Sequence, residues 1–446
     1  MYSILLKQFF KSRTSLLGLG LTLALGITSL VIGKKFLDEQ ALAASQVVEE
    51  QAAHVERNIA LHPDDLGLLF YYLKFTLVNT PKPLASLSIG QRDVHPEIMR
   101  VNMLTLEGQK YDTELVNPVN LLFGNMDLSF LIVYVFPLII IAFTYNLFSQ
   151  ENETGTWRIV GVMAKSKGNY MLNKLLVRIS VLMATVLFIL IAGLFLLDIP
   201  VDEAFLAFSL LSVCYLLFWF SLSYWVVSLQ KNSNVNALML LSIWLTLVVL
   251  VPATLNNFIT TYYPIPEALS TMIKQRDAYH QKWDTNKRET MEKFYGRYPQ
   301  FTSYGYPPEE GFNWMWYYAM QYLGDEESQV ESQSMKEKVR LREETSKMWA
   351  YLIPTMHTQL SLNGLAGTDL SNYMAFLEHT KGFHEQVRLT YYPAIFSNFT
   401  TDQIGFEKGK PHFFQESREV NWAYALLPLL VPILLFAVLA SRNKWD

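Results

Sequence analysis

Hydrophobic and polar positions along this chain fall into two regimes. Long unbroken apolar runs alternate with polar stretches whose apolar residues recur at helical spacing. The apolar runs are Thr14–Gly33, Leu128–Phe148, Leu175–Leu197, Ala204–Leu229, Asn234–Leu255 and Trp422–Ala440. Each is about 20 residues, the length a helix needs to cross a hydrocarbon core of roughly 30 Å. A helix is the expected form, because lipid offers the backbone no hydrogen-bond partners. The pattern predicts an all-α polytopic membrane protein with six transmembrane helices. Residues 1–33 hold an amphipathic N-terminus and the first span. Residues 34–127 and 256–421 are two extracytoplasmic insertions, mainly helical, the first open to an α+β form. Residues 128–255 carry the second to fifth spans with a loop at 149–174, and 422–446 the sixth span and a tail.

Within these divisions the pattern is more specific. Tyr2, Ile4, Leu5, Phe9 and Phe10, interleaved with Lys7, Lys11 and Arg13, suit a short helix lying on the inner membrane surface. Thr14–Gly33 competes with a cleavable signal peptide, for which Ala41-Leu42-Ala43 offers a small-residue site. The run exceeds the usual apolar stretch of about 7–15 residues, and the charged segment Lys34–Glu39 intervenes, so an uncleaved span is favoured. Ala43–His62 is strongly helix-forming and is expected to continue that span outward as a stalk. Helical apolar residues follow around Leu68–Leu77, then extended or irregular pieces at Leu84–Ile89 and Met99–Leu104. Further on, helices are expected over Ile273–Lys293, Asp325–Leu352 and Asp369–Tyr391. An irregular aromatic cap is expected over Tyr295–Tyr318.

Composition supports a membrane protein that carries polar mass: 51% of residues are hydrophobic and 17% charged, against about a quarter charged in soluble domains. A net charge of -4 leaves no basis for a nucleic-acid partner. The single cysteine, Cys214, lies in an apolar run and permits no intramolecular disulfide. Basic residues at Lys7, Lys11, Arg13, Arg158, Lys165, Lys167, Lys174, Arg178, Lys231, Arg442 and Lys444 share one side of the six-span topology. That side is cytoplasmic by the positive-inside rule, with both termini on it; Lys34 and Lys35 go against the pattern.

Little catalytic chemistry is legible. No G-x-x-x-x-G-K-[ST] occurs, so no P-loop can cradle nucleotide phosphates, and there is no G-x-S-x-G elbow. In His384-Glu385-Gln386-Val387-Arg388, Arg388 stands where a zinc-protease helix needs its second histidine. The tightest candidate metal cluster is Glu378, His379, His384 and Glu385. A spacing of five puts the two imidazoles, His379 and His384, on different faces, and histidines collect outside lipid spans without any metal role. The reading is a chain that is not an enzyme and holds no cofactor or metal. Pro137, Pro252, Pro428 and Pro432 serve either as hinges or as fixtures of bundle shape. Asn146, Asn234 and Asn236, near span ends, need no special role. The loop after the second span is the most informative stretch. Glu151 and Glu153 precede Gly155-Thr156, and Thr156–Met163 carries an apolar stripe that suits either docking in a groove or a solvated loop.

Glu151-x-Glu153-x-Gly155-Thr156-x-Arg158, between two spans and followed by Lys174, resembles the loop of ABC-2-type transporter permeases. The chain is similar to the bacterial group with large external insertions, the multicopper-enzyme-maturation-like permeases. Leu84–Pro96, Asn117–Phe130 and Asn363–Phe376 add to the likeness, whereas Val160 replaces the pattern's leucine and Met163–Lys167 its proline-containing segment. The resemblance implies a permease subunit of an ATP-driven exporter in the bacterial inner membrane. It further implies an ABC ATPase dimer supplying ATP and Mg chemistry, and a second permease, identical or paralogous. Glu151, Glu153, Gly155, Thr156, Trp157, Arg158, Lys165 and Lys174 would form the ATPase-coupling loop. Membrane lipid surrounds such a subunit, and a periplasmic partner is open; the substrate is not identified. The alternatives are a non-transporting membrane anchor or sensor binding a periplasmic partner, and a metalloenzyme.

Overall fold

Each long apolar helix begins on a short polar side chain. A computed structural model of the chain describes residues 2–111, 125–163, 166–265, 283, 286–404 and 410–443. Among these, six helices are long and apolar enough to cross a membrane: Arg13–Leu61, Leu128–Glu153, Lys167–Leu196, Glu203–Ser228, Ser233–Tyr262 and Trp422–Arg442. Their starts are capped by Ser12, Asp127, Ser166, Asp202, Asn232 and Asn421, each accepting a hydrogen bond from a backbone N–H of the first turn. These six helices are consistent with a multi-pass membrane protein.

The first span continues without a break as the expected stalk. It has 49 residues, about 75 Å of helix. It meets the rest of the molecule closely at Gly33, where a Cβ would fall 2.2 Å from the Ser86 carbonyl oxygen. The fourth span is central, packing on the second, third, fifth and sixth. Tyr215 and Trp219, on this helix, are wholly buried.

Four prolines lie within the spans, and at Pro137 and Pro252 the consequences are met from other elements. Proline lacks an N–H, so the carbonyls one turn before it lose their partners. The helix widens to a π turn at Leu131–Val135 before Pro137 and at Thr246–Leu250 before Pro252. Tyr215 donates its hydroxyl to the Val133 carbonyl at 2.8 Å, and Trp244 its indole N–H to Tyr134 at 3.2 Å. Thr355 donates to the Leu247 carbonyl at 2.6 Å.

The two polar segments are not separate bodies. Strand β1 (Phe75–Asn79) pairs antiparallel with β2 (Ile98–Val101), and parallel with β3 (His412–Phe414) from the far end of the second segment. The registers are Leu77 opposite Met99 and Val78 opposite Phe413. Phe70, Leu77, Phe294, Tyr318, Phe376 and Tyr392 are buried in one shared core. Asp325 and Arg388 form a buried pair at 2.6 Å. Asp325 also accepts the N–H groups of Leu106 and Glu107, capping a short helix of the first segment.

Several local expectations change. The helix after Pro63 is short, Leu66–Tyr72, and the apolar residues to Leu77 continue as strand β1. β-branched and aromatic residues there meet partners hundreds of positions away, which helical spacing cannot foresee. Within Leu84–Ile89 a 3-10 turn, Pro83–Ser86, replaces extended chain. The aromatic cap is partly regular: helix Trp314–Ala350 starts inside it and buries Tyr317 and Tyr318. Residues 273–282, 284 and 285 of the expected Ile273–Lys293 helix lie outside the described residues, and the described helix is Lys287–Arg297. Two helices, Leu106–Tyr111 and Pro354–Ala366, are not expected from the pattern.

Removing the Tyr215 hydroxyl tests the role of these side-chain donors. Tyr215→Phe leaves the Val133 carbonyl without a partner in the bundle and should cost about 1–3 kcal/mol. Pro137→Leu supplies a backbone N–H one turn on, so in that background the same change should cost less. Thermal unfolding of the four proteins in detergent measures the coupling; additive effects would show that the carbonyl does not depend on Tyr215.

Candidate functional site

The loop stem is built on the end of the second span. The regular helix breaks after Thr144 and resumes at Ser149, and carbonyls around that break need donors from elsewhere. Basic and amide side chains supply them: Lys174 Nζ donates to Leu147 O at 2.7 Å, Arg178 Nε to Phe143 O, and Asn236 Nδ2 to Tyr145 O at 3.1 Å. Cations are favoured at a helix C-terminus, where the carbonyl dipoles leave partial negative charge. Asn236, wholly buried, thus has a part that its position near a span end did not suggest.

Glu151 completes the arrangement. Its Oε1 accepts from Lys174 Nζ at 2.8 Å and from the Tyr170 hydroxyl at 2.6 Å. The Glu151 and Lys174 side chains are only 14% and 11% exposed. Tyr170 lies one turn before Lys174, so both reach the same carboxylate from one face of the third span. Glu153 joins the loop to the fifth span, accepting from Ser233 N at 2.8 Å and from Ser233 Oγ at 3.0 Å. Ser149 Oγ lies 2.7 Å from Ser233 Oγ. The second, third and fifth spans are therefore joined by one polar cluster at the base of the loop.

The tip turns at Gly155, whose φ of +73° is a left-handed conformation open to glycine at little cost. Thr156 Oγ1 donates to the Glu151 carbonyl at 3.2 Å. Trp157 does not face outward with the rest of the stripe. It is buried edge-on against Phe148, ring centroids 4.8 Å apart, with Lys167 Nζ 5.7 Å from its ring centre. Ile159 and Val162 carry the exposed apolar surface, Val162 at 88% exposure, and Arg158 is also exposed. Lys165 lies outside the described residues. Of the sequence-selected set, Glu151 and Lys174 are in direct contact, while Glu153, Trp157 and Thr156 brace the loop. Tyr170 and Ser233 were missed; the i, i+4 spacing of Tyr170 and Lys174 was the available signal.

A second junction was missed. Helix Pro354–Ala366 leaves the polar body and inserts among the second, fourth, fifth and sixth spans. His357 Nε2 donates to the Ala425 carbonyl at 3.0 Å, and Gln359 Nε2 to Ser129 Oγ at 3.3 Å. Leu362 and Ala366 join the apolar core of the bundle. Around this helix the three stretches that strengthened the resemblance meet. Ser88 donates to Asn363 at 2.8 Å, Ile89 N to Asp127 at 2.7 Å, and Gln91 N to the Thr368 carbonyl at 2.9 Å. Residues 117–124 of the middle stretch lie outside the described residues.

The candidate metal cluster is dispersed among other partners. His384 Nε2 donates to the Asn102 carbonyl at 2.8 Å, and His379 packs against the Phe414 ring at 4.9 Å. Glu385 accepts from the Tyr298 hydroxyl, and Glu378 pairs with Lys336 at 3.5 Å. Among the described residues no three His, Cys, Asp or Glu side chains converge as a metal site. Burial, and then the charge of Arg388, hold His384 well below the usual histidine range.

Residues 269–415 match the family model described as "Domain of unknown function (DUF3526)". The match covers about a third of the chain, including the inserted helix and β3 but none of the six spans. No curated protein and no solved structure matches the chain.

Two measurements test these sites. Lys174→Met leaves Glu151 in a nearly closed site without its cation and should cost on the order of 3 kcal/mol. Adding Glu151→Gln should restore a large part of the thermal midpoint. A double variant no better than the single one would place the effect elsewhere. For His384, the neutral ring is the folded form. Its folded pKa lies below the unfolded value of about 6.5, so unfolding takes up a proton and stability falls as pH drops below that value. His384→Gln, which keeps a donor, should flatten that slope by the share of one proton, read from thermal midpoints across pH 5 to 8; an unchanged slope would show His384 does not titrate on unfolding.

Proposed function

We propose that this chain is the membrane-spanning subunit of an ATP-driven exporter of the ABC-2 type, working with a separate ATPase. The observation that carries the reading is the clamped loop. Its base is bonded to three spans through Glu151, Lys174, Glu153 and Ser233, while its tip presents Ile159, Val162 and Arg158. A partner that pushes on such a tip moves all three spans, because directional charge-assisted bonds resist the sliding that apolar contacts allow. The basic residues at the loop side support a cytoplasmic placement, with the polar body on the opposite face. Coupling requires the partner to bind the loop differently in its two states, since a ligand shifts an equilibrium only by its differential affinity.

The inserted helix Pro354–Ala366 favours a second reading. A ligand on the polar body would shift the spans through it, as in a sensor. Copurification of an ATPase with the chain separates the two readings.

Gly155→Pro forces a φ of about -65° on a residue at +73°, and Trp157→Asp removes the ring from Phe148. Both should abolish substrate-linked ATP hydrolysis by the assembled transporter while leaving membrane insertion intact. Unchanged coupling in either variant, or labelling of Lys165 from the polar-body side, would refute the assignment.

A further inference from the structure

The N-terminal helix, Tyr2–Lys11, lies on the loop side of the bundle against the second and third spans. Its inner face carries Leu5 and Phe9, both buried. Phe9 meets Phe143 of the second span edge-on, ring centroids 5.5 Å apart, and Tyr2 bonds through its hydroxyl to Ser180 of the third span. Ser180 is five positions into the apolar run that starts at Leu175, so about 7 Å inside it. A helix whose packing partners lie at that depth sits at the headgroup–acyl boundary, the level at which amphipathic helices settle.

The outer face has the matching chemistry. Ile4 is 69% exposed and Phe10 45% exposed. Lys7 and Lys11 lie one turn apart on the side away from Leu5 and Phe9, and Arg13 opens the next helix. No acidic residue precedes Asp38, and none of the three cations has an ion-pair partner among the described residues. Apolar side chains beside unpaired cations at this depth suit one occupant, a lipid with an anionic headgroup. A soluble acidic protein would leave Ile4 and Phe10 in water.

We propose that the outer face of Tyr2–Lys11, with Arg13, is a binding surface for anionic phospholipid headgroups of the leaflet on the loop side. The contact reaches the candidate site through a short path. Phe9 and Gly18 both press on Phe143, whose carbonyl accepts from Arg178, one turn beyond Lys174 on the third span. The proposal does not rest on the exporter reading, since it needs only the six-span bundle.

The test uses the full chain in a neutral detergent. Cys214 is buried, so Ile4→Cys supplies the accessible thiol for an environment-sensitive dye. Titrating phosphatidylglycerol should shift the dye to an apolar signal, with phosphatidylcholine giving a much weaker response, and salt should weaken the first. Neutralising the three cations (Lys7→Gln, Lys11→Gln, Arg13→Gln) should lower the apparent affinity roughly 100-fold, at several-fold per charge. Lys7→Arg with Lys11→Arg should retain it, which separates lost charge from lost folding. Equal responses to the two lipids, or unchanged affinity in the neutralised protein, would overturn the proposal. So would a dye that stays in water with either lipid and changes only when an acidic protein is added.

Discussion

A backbone carbonyl surrounded by apolar groups must find a donor, and much of this structure follows from where those donors come from. Lipid replaces apolar contact between helices about as well as another helix does, so apolar packing alone fixes a membrane bundle weakly. Hydrogen bonds from one span to the backbone of another have no such substitute. The second span is held this way at both ends. Tyr215 and Trp244 take the carbonyls released near Pro137, and Arg178, Asn236 and Lys174 take those at its far end. The span becomes the fixed element against which the third, fourth and fifth are registered.

The same constraint gives the loop its character. Lys174 is drawn into the structure by the Leu147 carbonyl, and a buried cation then requires an anion, which Glu151 supplies. Glu153 continues the pattern on the fifth span. Glu151 and Lys174 are thus internal, while Arg158 faces outward beside the apolar Ile159 and Val162. Helix Pro354–Ala366 is the counterpart on the other face, where a polar helix enters the bundle because Thr355, His357 and Gln359 find partners on the spans. Each face of the bundle is joined to its surroundings by polar groups held out of water.

Much of this was legible beforehand, and the boundary is instructive. Six runs and the unbroken stalk follow from local pattern, because span length and helical period depend on neighbours in the chain. Glu151 and Lys174 were both marked, from a loop motif, but their contact was not. Trp157 was placed on a docking stripe and instead packs on Phe148, since a large aromatic beside an apolar helix end gains more by burial than by exposure. The prolines stood between hinge and fixture; at Pro137 and Pro252 the carbonyls are held by side chains from elsewhere. His379 and His384 stood near each other in sequence, and their rings go to Phe414 and Asn102.

By itself the sequence determined that the chain is mainly helical, where its six apolar helices run, and which short loop gathers charges of both signs between two of them. These depend on hydrophobicity and helical period, which act over a few residues. The tertiary structure alone decided that the two polar segments share one core, through strands β1 and β3 some three hundred positions apart, and that one polar helix enters the bundle. Such choices turn on which buried donor meets which distant acceptor, and no local pattern records that pairing.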